Sequence, residues 1–219
     1  MAPVQELFDA IRAGNSAQVA ALLAADRSLV NTRNEAGHSP VLIAQYHRKP
    51  EVVAMLLAAG PELDIFDAAS VGRTARVAEL LDRDPALLDA YSKDGFFPLG
   101  LAAFFGHPDT VALLLKRGAD VGTVARNPMR IQALHAAVAG RSFPAIKLVV
   151  EAGAAVNAPQ QQGFTPLHEA VNQGNLELTR YLLAHGADPK QQNDAGVSPI
   201  GLAAEKGLGD VLRALKGAK

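Results

Sequence analysis

The 219-residue chain contains no cysteine. That excludes a disulfide scaffold, a thiolate metal site and a cysteine nucleophile, though it fits an oxidising or a reducing compartment equally well. Charge of one sign is also lacking: 21 basic residues face 22 acidic ones, a formal net charge of −1. A chain that binds nucleic acid along its length needs a basic excess, so nucleic acid is not an expected partner. Long apolar runs are missing too; nowhere do about 18 uncharged apolar residues follow one another, so no span of a membrane is expected. Glu6 and Asp9 interrupt the stretch that a secretion signal would keep apolar, and the expectation is a soluble, cytoplasmic protein. There is no GxSxG elbow, no GxxxxGK[ST] and no GxGxxG. Asp26 and Asp82 to Pro85 read as turns, because the alternating oxygens and closing glutamate of a calcium loop are absent. No catalytic residue, metal or cofactor is therefore expected.

What the chain does have is a repeat. Paired apolar residues before a small-residue stop recur at Leu22-Leu23, Leu56-Leu57, Leu80-Leu81, Leu114-Leu115, Val149-Val150 and Leu182-Leu183, in steps of 34, 24, 34, 35 and 33 residues. One further step of 33 reaches Leu215. Pro40, Pro98, Pro166 and Pro199 keep the same ruler, as do Gly60, Gly118, Gly153 and Gly186. The most complete unit is GFTPLHEAVNQGNLELTRYLLAHGADP, residues 163–189. Thr165-Pro166 suits a helix start, since the threonine oxygen can accept a first-turn amide and proline at the first helical position forfeits no needed donor. Leu167, Ala170 and Val171 mark a short inner helix, and Leu176, Leu178, Tyr181, Leu182 and Leu183 a second one, stopped by Gly186.

The period near 33 and the TPLHxA opening resemble the ankyrin repeat. The resemblance implies an all-α solenoid of antiparallel helix pairs with β-turn fingers. Seven units are expected in one domain, at about 4–33, 34–61, 62–91, 92–125, 126–159, 160–192 and 193–219. The 24-residue step means a unit without a finger. Phe8, Asp9, Gly14 and Leu22 recur as Phe66, Asp67, Gly72 and Leu80, each 58 residues on. A double unit of 58 residues is therefore used twice, each copy a fingerless pair followed by a fingered one. Phe97 and Gln132 stand in the threonine place, and Ala133 replaces the proline, so the unit from Arg126 is expected to be irregular. His135 and His168, at the TPLH position, are by resemblance ties between fingers rather than ligands. Asp-Pro-Ala-Leu-Leu at 84–88 resembles stops in many bacterial ankyrin chains and implies a bacterial source.

The family's members are interaction modules that bind on the concave side, through finger tips and the exposed ends of inner helices. Carried onto this sequence, those places include Gln161, Gln162, Asn172 and Gln173 and, as the candidate binding residues, Tyr46, His47, Phe96, Phe104, Phe105, Arg126, Met129, Arg130, Ile131 and Phe164. Five of the eleven aromatic residues fall there, and aromatics are favoured in binding hot spots. From Lys116 to Val150 there are six basic residues against the single acid Asp120, while residues 51–94 carry nine acids against four basic residues. Arg126 and Arg130 flank a finger tip, where they could meet an acidic patch. The expected protein is a non-catalytic adaptor, inhibitor or subunit, a monomer on its own, binding an unidentified protein. Two alternatives stay open: a structural or self-associating chain, and a small-molecule or enzymatic role in the central groove. Phe104 and Phe105 could also simply pack over the small Ala139-Gly140 end.

Overall fold

The computed structural model describes residues 3–218. Among them lie fourteen α-helices in seven antiparallel pairs and no strand. The chain forms two compact units, divided at Pro98–Leu99.

The first unit holds α1 (Pro3–Ala13), α2 (Ser16–Ala25), α3 (Pro40–Tyr46), α4 (Pro50–Ala58), α5 (Ile65–Ser70) and α6 (Thr74–Arg83). Leu7, Phe8, Ile11, Val19, Leu29, Val41, Val52 and Leu56 form its buried centre. Each such side chain contributes about 1.5–3 kcal/mol when withdrawn from water. The 58-residue duplication reaches the backbone. Asp26 and Asp84 adopt nearly the same conformation (φ −147°, ψ 98° and φ −142°, ψ 92°) and accept from the amides of Ser28 and Ala86. Each caps a single 3₁₀ turn, Arg27–Asn31 and Pro85–Asp89, where the sequence reads as a turn. Two fingers belong here, closed by Asn34 N–H to His38 O (3.0 Å) and Ser92 N–H to Phe96 O (2.8 Å). Asp64 caps α5 directly, with no finger before it.

The second unit runs through α7 (Pro98–Phe104, its first residue excepted), α8 (Pro108–Lys116), α9 (Ala133–Ala139), α10 (Phe143–Glu151), α11 (Pro166–Asn172), α12 (Leu176–Ala184), α13 (Pro199–Glu205) and α14 (Gly209–Gly217). Its fingers stack through backbone bonds, Gln161 N–H to Met129 O and Asp194 N–H to Gln162 O, both 3.0 Å. His135 Nε2–H donates to Ala158 O (2.9 Å) and His168 Nε2–H to Val197 O (3.0 Å), while each Nδ1 accepts an amide from its own helix start. These are the ties the TPLH position implied.

The finger beginning at Arg126 is irregular in a specific way. Four fingers place glycine in the left-handed region at equivalent points, Gly37, Gly95, Gly163 and Gly196. Here Arg130 takes that conformation, φ 52°, and the closing bond spans Ala125 N–H to Ile131 O. A side chain in this region costs about 1–2 kcal/mol, against about 0.5–1 kcal/mol of extra backbone entropy that glycine loses on folding. Arg130→Gly should therefore raise stability by about 0.5–1 kcal/mol, read as a higher urea midpoint. A lower midpoint would mean that the arginine side chain makes a stabilising contact.

Candidate functional site

In the first unit, α3 ends at Tyr46, whose hydroxyl donates to Asp94 Oδ2 at 2.8 Å. The half-buried ring meets His38 edge-on at 5.8 Å and lies 6.3 Å from Phe96. Ser92 Oγ–H donates to the other Asp94 oxygen, at 2.5 Å. His38 Nε2 is 3.2 Å from Asp94 Oδ2 but off-line for a hydrogen bond. Burial and the adjacent carboxylate push the Tyr46 phenol far up, so it stays a donor at any physiological pH. The two fingers of this unit thus meet through side chains: a Cβ on Gly37 would strike the Lys93 chain at 2.3 Å. Side-chain contacts bridge the place where the sequence supplies no finger. His47 is exposed beside this group, and Phe96 is half-buried within it.

A second polar link in this unit had no signal in the sequence. Ser39 Oγ caps α3 through the Leu42 amide and donates to Asp67 Oδ1 of α5 at 2.5 Å. Burial, then the charge of Asp64, push the Asp67 carboxyl up to about 6, against the opposing pull of Ser39 and Arg33. Asp9, its counterpart 58 residues earlier, is exposed and pairs with Arg12 at 2.8 Å. Equivalent residues in the duplication therefore have different environments.

In the second unit, Phe104 and Phe105 at the end of α7 pack edge to face, centroids 5.0 Å apart, both half-buried. Phe164 is half-buried and meets His168 edge-on at 5.5 Å. Arg126 and Arg130 are exposed and Ile131 half-buried. Met129 is 42% exposed, the exposed large hydrophobic side chain among the described residues. Met129 and Phe164 line one groove of about 280 Å³ with Gln160, Gln161, Gln162, Glu169 and Asn172. Arg126 and Arg130 line an open depression with Asn127 and Pro128. Phe104 and Phe105 lie outside both.

Gln160 and Glu169 are the groove residues that sequence reasoning missed. A signal for the first exists. Asn34, Ser92, Asn127 and Asn193 each close their finger with a short side chain that accepts an amide inside the loop. Gln160 holds the equivalent place, and its longer side chain makes no such bond. On the outer helices, Phe143 meets Tyr181 edge to face (5.2 Å) with Lys147 Nζ 4.9 Å over the Phe143 ring, a second aromatic group that sequence reasoning did not single out. Among the described residues no three His, Asp or Glu side chains are grouped as metal ligands, and no helix is long and apolar enough to cross a membrane.

Comparison with known proteins agrees with the geometry. The chain is 31% identical over 198 residues to the B-cell lymphoma 3 protein homolog of Mus musculus, covering 84% of this chain and 44% of that protein. It is 30% identical to the nuclear factor NF-kappa-B p105 subunit of Gallus gallus over 97% of this chain and 23% of the relative. Over 76 residues, 35% of this chain and 49% of the other, it is 38% identical to human protein phosphatase 1 regulatory subunit 27. The chain thus spans less than half the length of these relatives, which are vertebrate proteins and lend no support to a bacterial source. A family model described as ankyrin repeats (3 copies) matches residues 7–125 and 134–219. With its fourteen paired helices, its turn fingers and its histidine ties, the chain belongs to the ankyrin-repeat family.

Proposed function

We propose that this protein is a non-catalytic protein-interaction module, binding a protein partner through its finger tips and inner-helix ends. The observation that carries this reading is the second unit's finger row. There the backbone and the two histidines tie the fingers together, while the side chains of Met129 and Arg130 stay exposed at a finger tip. Apolar surface withdrawn from structural duty and left in water is characteristic of recognition surfaces. In the first unit Phe96 would serve as an anchor with Tyr46 and His47; in the second unit Phe104, Phe105, Met129 and Phe164 would, with Arg126, Arg130 and Ile131. A preformed surface of this kind binds with little ordering cost. The names of the relatives support the reading: one is a regulatory subunit of a phosphatase.

The test is the double variant Phe104→Ser/Phe105→Ser beside the wild type, as baits in affinity capture from cells of the source organism. Circular dichroism should show the variant folded, and a protein retained by the wild type should be lost from it. Loss of cooperative unfolding would make the two rings core. A wild-type mass of twice 22.9 kDa by light scattering would favour self-association instead.

A further inference from the structure

The first unit holds a cavity at the point where α5 starts without a finger, walled by the fingers at 34–38 and 92–96. Its volume is about 320 Å³, within the roughly 300–1,000 Å³ typical of small-molecule pockets. Leu42, Phe66 and Tyr91 supply its apolar lining. Phe66 is half-buried and meets no other ring among the described residues, whereas Phe8, its counterpart 58 residues earlier, is 1% exposed in the core. The repeat position that is core at Phe8 is open at Phe66.

The polar groups around this cavity are unevenly used. Asp64, the acid of the lining, is spent. Its Oδ1 accepts the amides of Phe66 and Asp67, at 2.9 and 2.8 Å, and its Oδ2 accepts from Arg33 Nη2 at 2.9 Å. Behind the lining, Asp67 accepts from Ser39, and Asp94 from Tyr46 and Ser92. The donors are not spent. Arg33 engages only Nη2, and the Lys93 amine makes no hydrogen bond or ion pair. The end of the Lys93 side chain lies 2.3–2.6 Å from where a Gly37 Cβ would stand, so the glycine admits that amine to the cavity wall. His38 also lines the cavity, and its Nε2 is buried without a hydrogen bond. Buried polar atoms are nearly always satisfied, so this corner of the unit is incomplete as it stands.

We propose that the cavity binds a small aromatic monocarboxylate, its ring on Phe66 and Tyr91 and its carboxylate on Lys93 and Arg33. The site is separate from the protein-binding surface and does not rest on that reading. Unused donors beside spent acceptors call for a ligand that accepts, and an anion makes the stronger, charge-assisted bonds. One negative charge suits the site better than two, because Asp64, Asp67 and Asp94 surround the same donors and would repel a dianion. A planar carboxylate matches the guanidinium fork, and an aromatic body gains edge and face contacts with the two rings that an aliphatic one lacks.

The probe is naphthoate, a flat monocarboxylate, titrated onto the full chain and followed by amide NMR shifts. Naphthamide, cyclohexanecarboxylate and inorganic phosphate are the comparisons. Naphthoate should bind saturably and move the amides of Phe66 and Lys93. Lys93→Met keeps the alkyl chain over Gly37 and removes the charge, so its urea midpoint should stay at the wild-type value. Its affinity for naphthoate should fall about tenfold, the loss expected of one charge-assisted hydrogen bond. Phe66→Leu should weaken naphthoate more than cyclohexanecarboxylate; if this variant unfolds early, Lys93→Met alone decides. Naphthamide binding as tightly as naphthoate, or unchanged affinity in Lys93→Met, overturns the proposal. Displacement of naphthoate by phosphate overturns the aromatic acid in favour of a simple anion site. Absence of saturable binding removes the cavity as a ligand site and leaves the protein-binding reading standing, since that reading is decided by capture on Phe104 and Phe105.

Discussion

Gly140→Ala should lower stability by about 3 kcal/mol, the largest loss expected from one added methyl group. Gly140 follows α9 with φ −73° and ψ −9°, ordinary helical values that any residue adopts. Conformation is not the reason for glycine here; space is. A Cβ at this position would lie 2.0 Å from the carbonyl oxygen of Phe104, 2.7 Å from its carbon and 3.0 Å from its Cα. These are backbone atoms, so no rotamer change relieves the overlap and the ends of α7 and α9 must separate. Overpacking of this sort costs about 1–3 kcal/mol, and the upper end applies where nothing flexible can yield. Gly201→Ala is the control: it lies in α13 with its nearest contact an ordinary 3.5 Å, and alanine there gains up to about 1 kcal/mol of helix propensity. Urea unfolding of both variants decides the matter, and a wild-type midpoint for Gly140→Ala would refute the close approach. The contact also bears on recognition. The Phe104 backbone packs on Gly140 while the two phenyl rings rest against each other, half-exposed.

The second large effect is acid weakening of the second unit. His135 is only 4% exposed, and burial pulls its pKa down to about 4 although its bond to Ala158 O acts the other way. Nδ1 accepts the Gln132 amide, so the folded ring holds its one hydrogen on Nε2. A second proton would set N–H against N–H. His168 has the same arrangement with Thr165 and Val197, and its pKa is lowered for the same reason. In the unfolded chain both rings titrate near 6.5. Between 6.5 and 4 the unfolded chain therefore binds more protons, and stability falls as pH falls, by about 3 kcal/mol for His135 at pH 4. Asp67 in the first unit acts in the opposite sense: its raised pKa gives stability that is fully present below the unfolded value near 3.8 and is lost as pH rises through about 6. Native-state hydrogen exchange at pH 7 and pH 4.5 should show protection falling around α9 and α11. In His135→Gln that fall should be smaller, because glutamine does not titrate. An unchanged pH dependence in this variant would assign the acid sensitivity to other groups.

The ruler of Leu-Leu pairs, prolines and glycines was enough to place seven helix pairs, because each helix of this fold is local: a proline start, a short apolar stripe and a left-handed stop lie within a dozen residues. The unusual finger at Arg126 was legible for the same reason, since threonine and proline are both missing there. The burial of Asp67 was not legible. Its sequence equivalent, Asp9, is exposed, whereas Asp67 meets Ser39 from 28 residues away and Arg33 from 34.

Among the candidate site residues, type and place on finger or helix end could be read from the sequence, but company could not. Tyr46 carries the same marks as Phe104 in the repeat, yet its hydroxyl is engaged by Asp94, 48 residues on. Met129 and Phe164 meet in one groove because backbone bonds stack their fingers, whereas Arg126 and Arg130 open onto another. The sequence by itself determined the repeat, the family and the set of surface positions, all of which depend on neighbours along the chain. Tertiary structure decided which of those side chains are occupied and which are left over, because a hydrogen bond across repeats depends on distances that no local pattern encodes.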